Sequence, residues 1–131
     1  MTIRFYNTLT RKKDEFKPLE EGKVGLYSCG RFRYGPPHIG NYASFIFADV
    51  LKRYLRYRGF EVKHVMNITD VDDKTIRESK AARKSLEEFT RQFTDYFLNG
   101  MKKLNCIPAD VYPRATAHVD EMVALTQRLL E

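Results

Sequence analysis

Apolar residues recur with two different spacings along this chain, and the switches between those spacings predict its elements. Residues 3 to 9, Ile3-Arg4-Phe5-Tyr6-Asn7-Thr8-Leu9, read as a short strand, and the basic turn Thr10-Arg11-Lys12-Lys13 makes it the first arm of an entry hairpin. After Pro18 and Gly22, the run Val24-Gly25-Leu26-Tyr27-Ser28-Cys29 is short and apolar enough for a buried parallel strand. Gly30 to Gly40 carries Gly35, Pro36 and Pro37 and has the composition of a loop. A helix is expected from about Asn41 to Arg58. Phe47, Val50, Leu51, Tyr54 and Leu55 form its apolar stripe, Lys52, Arg53, Arg56 and Arg58 take the opposite side, and Gly59 is its C-cap. Phe60 to Asn67 supplies a second strand, anchored by Val62 and Val65.

Strand, glycine-containing loop, helix and strand in that order make a βαβ unit with an expected right-handed crossover, so the fold class is α/β with a parallel sheet. Further on, Ser85-Leu86-Glu87-Glu88 has the form of a capping box. Leu86, Phe89, Phe93, Tyr96, Phe97, Met101 and Leu104 stripe the helix that follows, and Asn105 and Pro108 stop it. Asp110-Val111-Tyr112-Pro113 is a brief extended segment. Val119, Met122, Val123, Thr126, Leu129 and Leu130 then mark another amphipathic helix, which meets Glu131 with no stop signal, and a truncation is expected there.

Composition narrows the class. A length of 131 residues fits one compact unit, with residues 1–22 as an N-terminal strand and hairpin extension and 23–131 as the body. Hydrophobic residues at 43% and charged residues at 31% exclude collagen-like, low-complexity and membrane classes. No apolar run nears the ~18 residues of a bilayer span, and the N-terminus lacks a secretory signal, so the cytoplasm is expected. Cys29 and Cys106 belong to no C-x-x-C pair, against a disulfide framework or a zinc knuckle. A net charge of +6 favours phosphate-bearing partners.

In open parallel sheets ligands bind beyond the carboxyl ends of the strands, against helix N-termini that favour phosphate. Two loops sit there. Pro37-His38-Ile39-Gly40-Asn41 offers an imidazole and a glycine at the helix entrance. His38 can donate to a developing phosphate charge and Gly40 leaves room for a base or ribose; the plain alternative is a loop histidine that caps the helix. Asn67-Ile68-Thr69-Asp70-Val71-Asp72-Asp73-Lys74 follows the second strand, and its aspartates could hold magnesium or a substrate amine, or could simply form an acidic turn with an N-cap.

Tyr27-Ser28-Cys29-Gly30, then His38-Ile39-Gly40-Asn41, then Asn67 to Lys74 resemble, in order and spacing, the N-terminal part of cysteinyl-tRNA synthetases. Tyr6-Asn7-Thr8-Leu9-Thr10-Arg11 and Pro113-Arg114-Ala115-Thr116 are similar to that family too, and the likeness covers essentially the whole chain. It implies the first half of a Rossmann-like class I nucleotide-binding fold, in which cysteine and ATP with magnesium form cysteinyl-adenylate before transfer to tRNA(Cys). By the same resemblance His38, Gly40 and Asn41 match the H-I-G-H element that embraces ATP, with His38 and Asn41 in the catalytic role. Cys29 matches a zinc ligand that takes the substrate thiolate through the metal, and Gly30 and Thr69 lie beside the bound cysteine. A soft metal prefers sulfur, which would reject serine. Read without the family motifs, Cys29 is also a plausible buried thiol at a strand end.

The chain departs from the family at two points. A Pro-Thr-Val-Tyr-like run is expected after the Cys-Gly pair, and Arg31-Phe32-Arg33-Tyr34 stands there, where two guanidinium groups could clamp phosphates or obstruct the pocket. The remaining zinc ligands, the K-M-S-K-S-type loop and the anticodon-binding region have no counterpart among these residues. The remainder of the synthetase or another subunit is therefore an expected partner, and a membrane is not. Alternatives are a related ligase that joins cysteine to an amino sugar, and a non-catalytic assembly fragment. Cys106 is expected to be a small buried side chain, His64 and His118 structural or exposed, and Arg11, Lys12 and Lys13 either a contact for the tRNA acceptor end or a solvated face.

Overall fold

A computed structural model describes residues 2–30 and 37–131. Strands β1 (Arg4–Asn7) and β2 (Lys12–Glu15) pair antiparallel as the expected hairpin, and Arg11 at the turn takes a positive φ of 55°. Strand β3 (Lys23–Gly30) pairs in parallel with β4 (Glu61–Ile68), Cys29 opposite Asn67 and Gly30 opposite Ile68. Between them lies helix α1 (Ile39–Tyr57), which ends at Arg58 with Gly59 in the left-handed region at φ 87°, the conformation that makes glycine a helix stop. Helices α2 (Asp73–Ala81) and α3 (Leu86–Lys103) follow, then a single 3₁₀ turn at Ala115–His118 and helix α4 (Val119–Leu130). The extended residues 111–114 lie beside β4 through parallel bridges at Val65–Val111 and Ile68–Arg114. The α/β class and the entry hairpin are as expected.

Strand side chains alternate between faces. Val24 and Leu26 of β3 and Val62, His64, Met66 and Ile68 of β4 point one way and are buried or half-buried, whereas Tyr27 and Cys29 lie on the other face and are exposed. Two apolar clusters fill the covered side. One joins Ile3, Val24, Leu55 and Val62, with Phe5, Phe16 and Phe60 against it. The other joins Tyr42, Phe45, Met66, Met101, Cys106 and Ala109, so Cys106 is the buried thiol expected. Gly100 of α3 lets Tyr42 of α1 approach so closely that a Cβ there would overlap the phenol, and Tyr42 stacks on Phe97 with ring planes 1° apart.

Two helix expectations need correction. On α1 the buried face is Tyr42, Phe45, Ala48, Asp49, Lys52 and Leu55, while Phe47, Val50 and Tyr54 are exposed. Lys52 is fully buried, because its ammonium donates to the Pro108 carbonyl (2.9 Å) and to Asp110 Oδ2 (3.1 Å). On α3 the buried positions are Thr90, Thr94 and Met101, and Tyr96 and Leu104 of the expected stripe are exposed. Both threonines satisfy their hydroxyls on the carbonyls four residues back, which lets a polar residue sit inside. The apolar residues of α4, among them Met122, Val123, Leu129 and Leu130, are exposed among the described residues. Ser85 does cap α3, accepting from the Glu88 amide at 3.1 Å.

Candidate functional site

The carboxyl ends of β3 and β4 are held together by side chains as well as by ladder bonds. The Gly30 amide donates to Asn67 Oδ1 at 3.0 Å, Asn67 Nδ2 donates to Thr69 Oγ1 at 3.1 Å, and the Thr69 hydroxyl donates to the Gly30 carbonyl at 3.3 Å. The result is a closed polar ring of three residues. A Cβ on Gly30 would overlap the Asn67 carbonyl oxygen, so glycine is required here by close backbone approach. Cys29 precedes this ring, and its side chain is exposed rather than buried in the strand end. Sequence reasoning selected Cys29, Gly30 and Thr69, and the fold brings all three to one place. Asn67 opens the Asn67–Lys74 motif, but nothing in the sequence assigns it a role of its own; its bonds to Gly30 and Thr69 do.

On the covered face, Ser28 Oγ shares a 2.8 Å hydrogen bond with His64 Nε2. His64 is 2% exposed and its Nδ1 has no hydrogen-bond partner among the described residues. Burial pushes its pKa below the usual 6.5, and the nearby Lys52 charge pushes the same way against Asp110 and Asp49. This histidine is neutral and structural. His118 is exposed, with Nδ1 at 3.7 Å from Glu121.

The second set of candidates lies at the start of α1. His38 is the N-cap, with extended backbone angles, and its amide donates to Asn41 Oδ1 at 3.0 Å. Asn41 is thus occupied at least partly in closing the helix start. Gly40 sits under the imidazole, where a Cβ would lie 3.1 Å from His38 Cε1. His38 and Gly40 are both exposed. The first turn of α1 carries no acidic side chain, so the positive end of its dipole is not neutralised locally. Arg31, Phe32, Arg33 and Tyr34 lie outside the described residues.

Two of the aspartates after β4, Asp70 and Asp72, are spent internally rather than gathered for an ion. Asp70 is buried, accepts from the Thr116 amide (2.9 Å) and hydroxyl (2.7 Å), and faces Arg114 at 3.8 Å. Asp72 caps α2 by accepting from the Thr75 amide and hydroxyl, each at 2.6 Å. Asp70 also borders a cleft of 520 Å³ shared with Thr90, Arg91 and Arg114. Among the described residues no three His, Cys, Asp or Glu side chains are grouped to hold a metal ion, so Cys29 alone does not make a tetrahedral zinc site. No helix among them is long and apolar enough to cross a membrane.

Comparison with known proteins gives the family. Residues 15–131 match the family described as tRNA synthetases class I (C) catalytic domain. The chain is 54% identical over 129 residues to a cysteine–tRNA ligase of Methanosarcina mazei, which covers 98% of this chain and 27% of that protein. It is 51% identical over 129 residues to the ligase of the same name from Methanosarcina acetivorans, again 98% of this chain and 27% of that protein. It is 45% identical over 131 residues to that of Pyrococcus horikoshii, all of this chain and 28% of that protein. The chain therefore spans little more than a quarter of the length of these curated relatives. None of the three bears the name of an enzyme that joins cysteine to an amino sugar.

Proposed function

We propose, since the chain belongs to the family of class I (C) tRNA synthetase catalytic domains, that it carries the first half of the ATP and cysteine sites of a cysteine–tRNA ligase. In that reaction a carboxylate oxygen of cysteine attacks the α-phosphorus of ATP, the bond to the bridging oxygen breaks, and pyrophosphate leaves with its electron pair. The adenylate then passes its cysteinyl group to tRNA(Cys). Such a displacement needs alignment and charge stabilisation more than a covalent nucleophile, and the residues here are suited to that. A cytoplasmic location goes with this reading.

The observation that carries it is the meeting of Cys29, Gly30 and Thr69 at the ends of two parallel strands, with the α1 N-terminus following β3. Cysteine binds at Cys29, Gly30 and Thr69. ATP binds at His38, Gly40 and Asn41, where the positive end of the helix dipole and the exposed imidazole meet phosphate, and Gly40 keeps the approach open. His38 donates to the negative charge that develops on the α-phosphoryl oxygens, while Asn41 holds the His38 backbone and so the entry angle of the helix. Cys29 is one thiolate donor for zinc, and the other donors lie outside the described residues. Magnesium accompanies ATP as part of the substrate.

Cysteine-dependent exchange of pyrophosphate into ATP tests the reading in the complete ligase. Substituting His38→Ala should lower the exchange rate by about 10²-fold, the usual cost of one transition-state donor. Cys29→Ala should abolish the cysteine-dependent exchange while nucleotide binding by calorimetry persists. Full exchange in both variants would overturn the assignment.

A further inference from the structure

We propose that Asn67 is a positioning residue for amino-acid activation, whose single carboxamide fixes the Cys29–Gly30 peptide and the Thr69 hydroxyl relative to each other. The proposal rests on the assignment of Cys29 and Thr69 to the cysteine site. Asn67 is the register partner of Cys29, so it stands directly across the ladder from the thiol-bearing residue. Its amide orientation follows from its neighbours: the Gly30 N–H can only donate, so it meets Oδ1, and Nδ2 is thereby turned to Thr69.

The bonding inventory then limits what Thr69 can offer. A hydroxyl has one proton and two lone pairs. The proton goes to the Gly30 carbonyl and one lone pair takes Asn67 Nδ2, which leaves one lone pair. A half-buried hydroxyl in that state presents an acceptor of fixed direction, matched to a donor such as a substrate ammonium. The Gly30 amide is equally committed, because Gly30 is buried and Asn67 is its acceptor. Removing the carboxamide would leave that N–H without its acceptor and free both the Thr69 rotamer and the peptide after Cys29. Asn67 acts through its neighbours.

The test is steady-state pyrophosphate exchange by the complete ligase bearing Asn67→Ala, Thr69→Val, or both, with KM measured for cysteine and for ATP. Asn67→Ala should raise the cysteine KM about tenfold and leave the ATP KM within about twofold, and the double variant should fall clearly short of the product of the two single effects, as coupled neighbours do. Multiplicative effects, or equal loss for cysteine and ATP, would overturn the positioning role. If Asn67→Ala does not fold, Asn67→Asp keeps the size and the acceptor for Gly30 but not the donor to Thr69; a cysteine KM in that variant equal to the unsubstituted enzyme's overturns the proposal, and a rise confined to cysteine supports it. An unchanged cysteine KM in Thr69→Val would instead count against Thr69 as a cysteine contact, and so against the underlying site.

Discussion

Two regions along the β3–β4 sheet gather polar groups, and they treat them in opposite ways. Beneath α1, Lys52, Asp49 and His64 are sealed between helix and sheet, and the two charged groups are spent on fixed partners: Lys52 on Pro108 and Asp110, and Asp49 on the Ile107 amide (2.7 Å) and Arg53. At the carboxyl ends of β3 and β4 the polar ring of Gly30, Asn67 and Thr69 is only half covered, and an exposed thiol stands beside it. Sealed networks fix how elements pack, whereas a half-open ring holds its groups in place and still lets a ligand reach them. The contrast separates residues that set stability from residues proposed to set activity.

The largest expected effect breaks the ring at its tightest point. Gly30→Ala should destabilise the fold by about 3 kcal/mol, since the added Cβ meets backbone rather than a movable side chain. Gly25→Ala on the same strand meets nothing within 4 Å and should stabilise by about 0.5 kcal/mol. Denaturant melts of the two variants read both signs at once. Next, Lys52→Met retains the buried stem but removes the ammonium. The loss should be about 2 kcal/mol, below the usual cost of breaking a buried pair, because the Asp110 side chain is 42% exposed and keeps the His64 amide as donor.

Acid should weaken the sealed region through two groups. His64 has a folded pKa below 6.5, so the unfolded chain takes up a proton that the folded chain refuses; its contribution is full above that value and declines as pH falls through it. The Asp110 carboxyl is held below its ordinary 3.8, chiefly by the His64 backbone N–H that donates to it, so its contribution is present above 3.8 and is lost as pH falls further. Thermal melts should therefore show Tm dropping first below neutrality and again in strong acid, with the first drop reduced in His64→Gln. The smallest effect sharpens the comparison from the other side. Cys29→Ala should change stability by no more than about 0.5 kcal/mol, as for other exposed positions, although it should abolish cysteine-dependent exchange.

Much of this was legible in the residues. The βαβ unit follows from two short apolar runs flanking a helix that ends at Gly59, and the Ser85 cap of α3 from its spacing to Glu88. The phase of α1 was not, because Phe45, Ile46, Phe47, Val50, Leu51, Tyr54 and Leu55 make it apolar nearly all round, and contacts with α3 and β4 decide which side turns inward. A buried Lys52 could not be foreseen either, since its partner Asp110 lies 58 residues away. Helix α2 went unpredicted: Asp73–Ala81 has little beyond Ile76 to mark an apolar face, and it is started by the Asp72 cap. Cys29, Gly30 and Thr69 take their roles from the motifs, while Asn67, part of the same motif, shows its bridging role only once the strands are in register.

A crystal structure of the complete ligase with a non-hydrolysable cysteinyl-adenylate analogue tests the central claim most directly. The account predicts the analogue's ammonium within about 3.2 Å of Thr69 Oγ1, with Asn67 still accepting from the Gly30 amide. An analogue seated away from the ends of β3 and β4, or an Asn67 side chain turned from Gly30 to bind the ligand itself, would contradict it.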